Sequence, residues 1–283
     1  MEGEAYGAGT VINALATGYG CAFGVRIRTR VKLSVEEDLK KSVLSDGVSE
    51  REDDLVDSIL SKFGLKGFVE VKSEIPKGSG LGSSSAFVNA LLLAIYKHLN
   101  KRLFAHEILR TNAKLSLEHG ISYTGAFDDA SASLLGGIVL TDNFGMKVIS
   151  WEFRKAKAVI LIPEWNRGNI SIEEIRKGVG LVKEAVECAM RGDYKNAMIL
   201  NSKHYCARIG YPFEVVERVK DLDCCAGLSG NGPTFVAFGD GDVLRDVAGI
   251  WSEYGKVVWS ELVREPSDEV IISRELYGNS KNS

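Results

Sequence analysis

Alternating apolar and polar side chains mark two segments in the first third of the chain. Residues 25–33 read Val-Arg-Ile-Arg-Thr-Arg-Val-Lys-Leu, and residues 67–75 show the same alternation. Because successive side chains of a β-strand point to opposite faces, this period predicts two strands that each bury one face. We expect the basic face of residues 25–33 to be exposed, since rows of charge on strands are usually solvated.

A second pattern, apolar on nearly all sides, covers residues 87–96 and predicts a buried helix. Two more helices are predicted at residues 53–63 and 105–119, which end at Gly64 and Gly120. In the second half we predict a buried strand at 156–163, helices at 172–190, 194–208, 212–219 and 242–253, and strands near Val257 and Val270. The change of pattern near residue 150 predicts two domains, residues 1–152 and 153–283.

The composition is that of a globular protein, with 45% hydrophobic and 26% charged residues in a chain of 283. A net charge of −3 gives no support for a nucleic acid or an anionic membrane as the partner. The acidic N-terminus lacks the order of a signal peptide, and no apolar run reaches the roughly 18 residues of a membrane helix. Five cysteines without metal-ligand spacing suggest reduced thiols in a cytoplasmic protein.

The most informative stretch lies between the second predicted strand and the buried helix. Residues 76–86 read Pro-Lys-Gly-Ser-Gly-Leu-Gly-Ser-Ser-Ser-Ala. Three glycines within five positions permit backbone N–H groups to converge on a ligand. Three serines then open the helix, where free amides and the positive end of the helix dipole favour an anion. We therefore predict a phosphate-binding loop.

A plain glycine turn with a serine N-cap is the alternative for this stretch. It accounts for one glycine and one serine, but not for three of each before a buried helix. The stretch also lacks the lysine of the Gly-x-x-x-x-Gly-Lys-Ser/Thr loop. The predicted phosphate chemistry is therefore not that of a Walker A protein.

Acidic residues follow the predicted helix at 105–119. Glu118 stands near its end, and Asp128 and Asp129 come after a glycine turn, ahead of Gly136, Gly137 and a strand. Taken alone, the two aspartates would be read as an Asx turn or a helix cap at the rim of a loop. Beside a phosphate loop they suit phosphoryl transfer, which needs a metal ligand and a proton acceptor.

A last glycine-rich segment, residues 226–238, leads into a strand and includes Ser229, Gly230 and Gly232. Such a loop brings backbone amides close to a ligand. From the residues alone, a hairpin turn is the better interpretation.

Together these motifs resemble those of the GHMP kinases, the superfamily of galacto-, homoserine, mevalonate and phosphomevalonate kinases. Pro-x-x-Ser-Gly-Leu-Gly-Ser-Ser-x-Ala is similar to their ATP loop, and the two downstream segments are similar to their second and third motifs. Within the superfamily, residues 9–14 and 22–24 most resemble the archaeal-type shikimate kinases.

The resemblance implies an α+β fold, with a ribosomal-S5-domain-2-like N-terminal domain, a ferredoxin-like C-terminal domain and ATP between them. It implies Asp128 as the catalytic base, with Asp129 as second choice, and Ser84 and Glu118 as ligands of Mg²⁺. The residues it implies for ATP are Pro76, Lys77, Gly78, Ser79, Gly80, Leu81, Gly82, Ser83, Ser84, Ser85, Ala86, Ser229, Gly230 and Gly232. The superfamily often carries a basic residue that assists the base, but this chain has Thr10 there, so the roles of Thr10 and Asn13 stay open.

The implied reaction is transfer of the γ-phosphoryl group of ATP to an alcohol, the shikimate 3-hydroxyl, in aromatic amino-acid biosynthesis. The carboxylate of shikimate needs a basic partner, for which Arg26, Lys77, Arg167 and Arg208 are candidates. Assembly into a homo-oligomer is left open by the sequence.

Three alternatives remain at this point. Another GHMP kinase, acting on homoserine, mevalonate or pantoate, would share the loop. An amidase-type hydrolase would use Ser84 or Ser85 as nucleophile with Lys72 or Lys77 as base. A non-catalytic nucleotide sensor would bind ATP and turn over nothing.

Overall fold

A mixed sheet forms the first half of the protein in the computed structural model, which describes residues 1–36, 38–39, 41–44 and 50–278. Six strands of these described residues pair in the order β3-β4-β2-β5-β6, with β1 also pairing β2. Their bounds are β1 Glu2–Ile12, β2 Tyr19–Val35, β3 Val43–Leu44, β4 Gly67–Ser73, β5 Ile138–Asp142 and β6 Lys147–Glu152. The two predicted strands at 25–33 and 67–75 lie within β2 and β4, which are antiparallel neighbours.

The helices of this half are α1 Glu50–Lys62, α2 Ser83–His98, α3 Ala105–Glu118 and α4 Phe127–Leu135. The central helix, α2, is buried along most of its length, as its apolar sequence predicts. It packs against β1 at Gly3, where a Cβ atom would lie 2.0 Å from the carbonyl oxygen of Ala90. A residue without a side chain therefore lets the strand approach the helix backbone.

The second half is built on a four-stranded antiparallel sheet in the order β10-β7-β9-β8. Its strands are β7 Lys157–Pro163, β8 Cys224–Leu228, β9 Phe235–Gly239 and β10 Gly255–Glu261. Its helices are α5 Ile172–Ile175, α6 Gly180–Met190, α7 Tyr194–Ile209, α8 Glu214–Glu217 and α9 Gly241–Trp251, followed by a 3₁₀ turn at Arg274–Tyr277. The predicted α+β class is confirmed.

The two sheets meet through buried aromatic side chains. The rings of Phe23 on β2 and Phe238 on β9 have centroids 4.8 Å apart in an edge-to-face arrangement, and Val25 bridges to Leu262. The chain passes from the first sheet to the second between Glu152 and Lys157. We propose that the domain division at 152/153 follows this change of sheet.

Two predictions for the second half differ from the structure. The helix predicted at 172–190 is two helices, because Gly178, with φ of +58°, interrupts it. Near Val270 the described residues form no strand, and Ile271 makes a single bridge with Phe104. In the described part of the chain no helix is long and apolar enough to span a membrane.

The contact between the sheets predicts a stability effect. Replacing fully buried Phe23 by alanine removes the ring that packs on Phe238 and leaves a cavity, which should cost about 3–5 kcal/mol in the free energy of unfolding. Denaturant titration measures this loss. Phe153→Ala, at a ring that is 49% exposed, is the control and should cost less than about 1.5 kcal/mol. Equal losses in both variants would contradict the assignment of Phe23 to the core.

Candidate active site

The glycine–serine stretch connects β4 to α2, as the sequence predicts. Gly78, Gly80 and Gly82 have φ of +70°, +88° and +66°, values that side chains disfavour. Gly82 is the N-cap of α2, whose first turn contains no acidic residue. The first amides of a helix have no partner within the helix, so the amides of Ser83, Ser84 and Ser85 and the helix dipole favour an anion here.

The segment after β8 closes over this loop. The hydroxyl of Ser229 donates to the carbonyl oxygen of Gly80 at 2.9 Å, and a Cβ atom on Gly80 would lie 2.2 Å from the Ser229 carbonyl oxygen. The amide of Gly230 donates to the hydroxyl oxygen of Thr10 at 2.8 Å. Thr10, which is buried, therefore holds the second glycine segment against β1.

These segments border a cleft of about 310 Å³. Three glycines and three serines of the loop line one side, together with Thr10 and Gly230. Asp128 and Asp129 line it as well, and so do Asn13, Asn231 and Arg167. The amides at the start of α2 and two carboxylates thus border the same space.

Asp128 lies in the first turn of α4 and is only 5% exposed. The sequence predicted a loop rim for this residue; the structure shows a helix N-terminus, where the dipole favours a negative charge. Asn143 Nδ2 donates to Asp128 Oδ1 at 2.8 Å. Burial raises the pKa of Asp128 above its ordinary value, while the hydrogen bonds of Asn143 and of the Asp129 and Ala14 backbone oppose this rise.

The position of the Asp128 carboxylate also depends on Gly20 of β2, a residue without a side chain. A Cβ atom at Gly20 would lie 2.2 Å from Asp128 Oδ2. The strand therefore leaves the space that the aspartate fills. Asp129 is half-buried as a residue, and the desolvation of its carboxylate together with the negative charge of Asp128 raises its pKa well above the ordinary value.

A second cavity, of about 380 Å³, adjoins the cleft and shares Gly78, Ser83 and Ser84 with it. Its other walls are mainly apolar and come from α1, β4 and α2, with Val56, Val71 and Phe87 among them. An apolar cavity thus adjoins a polar cleft at the same serines.

Not every predicted ATP residue lines these two spaces. Leu81 and Ala86 are core residues, and Ser79 and Ser229 use their hydroxyls to bond loop carbonyls. Pro76 and Gly232 are likewise outside the lining. These residues shape the loops around the space rather than facing it.

Glu118, the second predicted ligand of Mg²⁺, does not line the cleft either. It is the last residue of α3, its side chain is 51% exposed, and it forms an ion pair with Lys62 of α1. This ion pair lowers the pKa of Glu118. The carboxylate therefore lies at the surface beside α1.

Of the four basic candidates, Arg167 lines the cleft. Arg26 pairs with Glu261 and Glu265, and Arg208 donates to the carbonyl oxygens of Glu174, Lys177 and His204. Lys77 borders the apolar cavity instead. These positions rank candidates that the sequence could not rank.

Asn143 and Asn231 are site residues that the sequence analysis missed. Asn231 Oδ1 accepts a hydrogen bond of 2.9 Å from Asn13 Nδ2, and Asn143 follows β5 in an ordinary-looking turn. Asn143 belongs to no glycine-rich motif, so no spacing in the sequence marked it. Asn231 lies between Gly230 and Gly232 in the last glycine-rich segment, where the motif drew attention to its neighbours.

A larger cavity, of about 620 Å³, lies at the other end of the four-stranded sheet, near the start of β8. Its lining mixes basic residues such as Arg154 and Lys195 with acidic ones such as Asp193 and Asp223. It contains neither glycine-rich segment nor the two aspartates of the cleft. The smaller cleft is therefore the candidate active site.

The two carboxylates of the cleft predict a pH-dependent stability. Because the pKa of Asp129 is raised in the folded state, the folded protein binds more protons than the unfolded chain between the two pKa values. The free energy of unfolding therefore falls as pH rises through this range. Asp129→Asn removes the effect and should be more stable than wild type at pH 7, with a difference that shrinks toward about pH 4.

Urea titration at pH 7 and at lower pH measures this difference. Asp246→Asn, an exposed aspartate on α9, is the matched control and should leave stability nearly unchanged. If Asp129→Asn were no more stable than wild type at pH 7, the two carboxylates would not repel as described.

Comparison with known proteins gives the family. Residues 53–137 match the family model of the GHMP kinases N terminal domain. A shikimate kinase of Archaeoglobus fulgidus is 48% identical over 272 residues, which cover 96% of this chain and 96% of that protein. A shikimate kinase of Methanosarcina mazei is 36% identical, covering 90% of this chain and 91% of its own length.

Solved structures agree on the fold. The Methanococcus jannaschii mevalonate kinase superposes with a TM-score of 0.69 at 12% identity, covering 93% of this chain and 98% of that one. The predicted GHMP kinase fold is thereby confirmed. The chain belongs to the GHMP kinases and, within them, to the family of the archaeal shikimate kinases.

Proposed function

We propose that the protein transfers the γ-phosphoryl group of ATP to the 3-hydroxyl of shikimate. One observation carries this proposal: a loop of free amides at the start of α2 and a buried carboxylate at the start of α4 face the same cleft. The names of the relatives from Archaeoglobus and Methanosarcina supply the acceptor. Phosphoryl transfer depends mainly on positioning and on charge stabilisation, which these two helix ends supply.

The two adjoining spaces suit the two ends of ATP. Amides and hydroxyls of residues 78–85 are suited to the phosphates, while the apolar walls of the second cavity are suited to a flat base. Because Gly78, Ser83 and Ser84 border both spaces, a nucleotide can extend from one to the other along the loop. The acceptor then occupies the part of the cleft next to Asp128.

Magnesium fits this site as an ion held mostly by the nucleotide. Among the described residues, no three His, Cys, Asp or Glu side chains converge on one point. Mg²⁺ in kinases usually keeps waters and takes few protein ligands besides phosphate oxygens. The exposed hydroxyl of Ser84, which faces the cleft, would hold it. When bound, it supplies positive charge to the phosphates.

Asp128 takes the proton of the acceptor hydroxyl in this proposal. Its carboxylate is held in place by Asn143 and by the start of α4, and the phosphate loop lines the same cleft. A positioned carboxylate base typically contributes about 10²–10⁴-fold. Asp129, next along the helix, stays the second choice.

Arg167 is proposed to bind the acceptor's carboxylate. Its guanidinium borders the cleft, with Nη1 3.9 Å from the position of a Cβ atom on Gly78. A guanidinium offers two parallel hydrogen bonds to a carboxylate. This contact would distinguish shikimate from an uncharged alcohol. Cytoplasmic location stays a prediction from the sequence, and assembly into a homo-oligomer stays open.

The experiment that tests the function measures ATP consumption with shikimate, homoserine, mevalonate and pantoate. We expect turnover with shikimate at least tenfold above the others. If another alcohol is preferred, the protein is a kinase and shikimate is not its acceptor. ATP binding without turnover would indicate a sensor. A hydrolase is disfavoured because Lys72, one proposed base, is 78% exposed and pairs with Glu70.

Asp128→Asn tests the base. The change keeps the shape of the side chain but removes the proton acceptor, so kcat should fall about 10²–10⁴-fold with the KM for ATP nearly unchanged. Steady-state kinetics with shikimate give both constants, and Asp246→Asn is the control. Full turnover in the Asp128 variant would move the role to Asp129.

Arg167→Ala tests the carboxylate contact. Loss of a charge-assisted hydrogen bond should raise the KM for shikimate about 10- to 100-fold and leave the KM for ATP within about threefold. Arg26→Ala removes the same charge from a residue that pairs with Glu261 outside the cleft, and should keep both constants. An unchanged KM for shikimate in Arg167→Ala would exclude this residue as the partner.

A further inference from the structure

Asp128 is held by neutral groups in the described part of the chain. Its pKa responds to the side chain of Asn143 and to the backbone of Asp128, Asp129 and Ala14, besides its burial. Thr10 stands at the position where related kinases often carry a basic residue that assists the base. Its hydroxyl oxygen accepts a hydrogen bond of 2.8 Å from the Gly230 amide instead. The side chain that contacts the carboxylate is therefore Asn143.

Asn143 is itself anchored on three sides. It is fully buried in the turn after β5, and its backbone amide donates to the Gly18 carbonyl oxygen at 2.9 Å. Its Oδ1 accepts a hydrogen bond of 2.7 Å from the Thr141 hydroxyl. Its Nδ2 donates to Asp128 Oδ1 at 2.8 Å and lies 3.4 Å from the Thr124 hydroxyl oxygen.

An ionised Asp128 determines how this amide is oriented. A carboxylate only accepts hydrogen bonds, so the NH₂ group of Asn143 must face it and the amide oxygen must face Thr141. The reverse orientation would bring a carbonyl oxygen against a carboxylate oxygen. The ionised carboxylate therefore selects the orientation, and the Thr141 hydroxyl, which lies 2.7 Å from Asn143 Oδ1 and 3.2 Å from the Gly20 carbonyl oxygen, is compatible with it as a donor.

We propose that Asn143 is the positioning residue of this active site, a neutral donor that keeps Asp128 ionised and oriented toward the acceptor hydroxyl. This inference rests on the proposed function, because Asp128 is the base in that function. Among the described residues that line the cleft, Asn143 bonds Asp128 and, more weakly, Thr124, so it acts on the reaction through the side chain of Asp128.

The surroundings explain why a donor is needed. Arg167 lines the same cleft as Asp128. Among the described residues, the groups whose pKa responds to the charge of Asp128 are Asp129 on its own helix, Cys21 on β2 and Tyr205 on α7. None of them carries a positive charge, and Asp129 repels a second negative charge nearby. Burial disfavours the ionised carboxylate as well. The Asn143 hydrogen bond acts against both effects.

Kinetics of Asn143→Ala against pH test the role. Removing a hydrogen bond to a charged group should lower kcat at pH 7 about 10- to 100-fold and move the acidic limb of the kcat profile up by about one pH unit. The KM for ATP should stay within about twofold. Asn143→Asp, of nearly the same shape, is the second variant; it adds a negative charge and should move the limb at least as far.

Asn89→Ala is the matched control for the loss of a buried asparagine. Asn89 donates to the Ala130 carbonyl oxygen at 2.9 Å, so its removal should lower stability without moving the acidic limb. An unmoved limb in both Asn143 variants, or equal losses in kcat and in ATP affinity, would overturn the proposal. Either result would give Asn143 a purely structural role.

A readout without turnover separates this inference from the proposed function. Titration of the Asp128 carboxyl carbon by ¹³C NMR should give a higher pKa in Asn143→Ala than in wild type. If wild type fails to phosphorylate shikimate but this pKa shift occurs, the proposed function fails and the Asn143 contact stands. If wild type turns over and no shift occurs, the function stands and the inference fails.

Discussion

Close approach of two glycine-rich segments is the constraint on which the cleft depends. At Gly80 the space that a side chain would fill is taken by the Ser229 carbonyl oxygen, and the Ser229 hydroxyl donates to the Gly80 carbonyl oxygen at 2.9 Å. The first segment connects β4 to α2, and the second follows β8 of the other sheet. One short contact therefore joins both halves of the protein beside the N-terminus of α2.

Two helix N-termini give this cleft its electrostatic character. The start of α2 offers amides without an acidic residue, which favours anions from solution. The start of α4 instead carries its own two carboxylates; burial raises the pKa of both, and the negative charge of Asp128 raises the pKa of Asp129 further. A helix N-terminus thus favours an anion from solution at α2 and a carboxylate of the protein itself at α4. Phosphoryl transfer uses both, a site for the phosphates and a proton acceptor.

Local sequence patterns predicted the elements that depend on local physics. The alternation at residues 25–33, the apolar run at 87–96 and the glycine–serine stretch all appear as β2, α2 and the loop before it. The resemblance to GHMP kinases supplied the topology, which no periodicity contains. Contacts between distant segments, such as the hydrogen bond from Asn143 to Asp128, could not be predicted from the sequence. Glu118 shows the same limit, since its ion pair with Lys62 joins two helices that are distant in the sequence.

A crystal structure with a non-hydrolysable ATP analogue, Mg²⁺ and shikimate tests the proposed active site most directly. We expect the phosphates against the amides of residues 78–85, the base in the apolar cavity beside Phe87, and the 3-hydroxyl within hydrogen-bond distance of Asp128. Phosphates bound away from the N-terminus of α2 would contradict this proposal. A shikimate hydroxyl remote from both aspartates would contradict it as well.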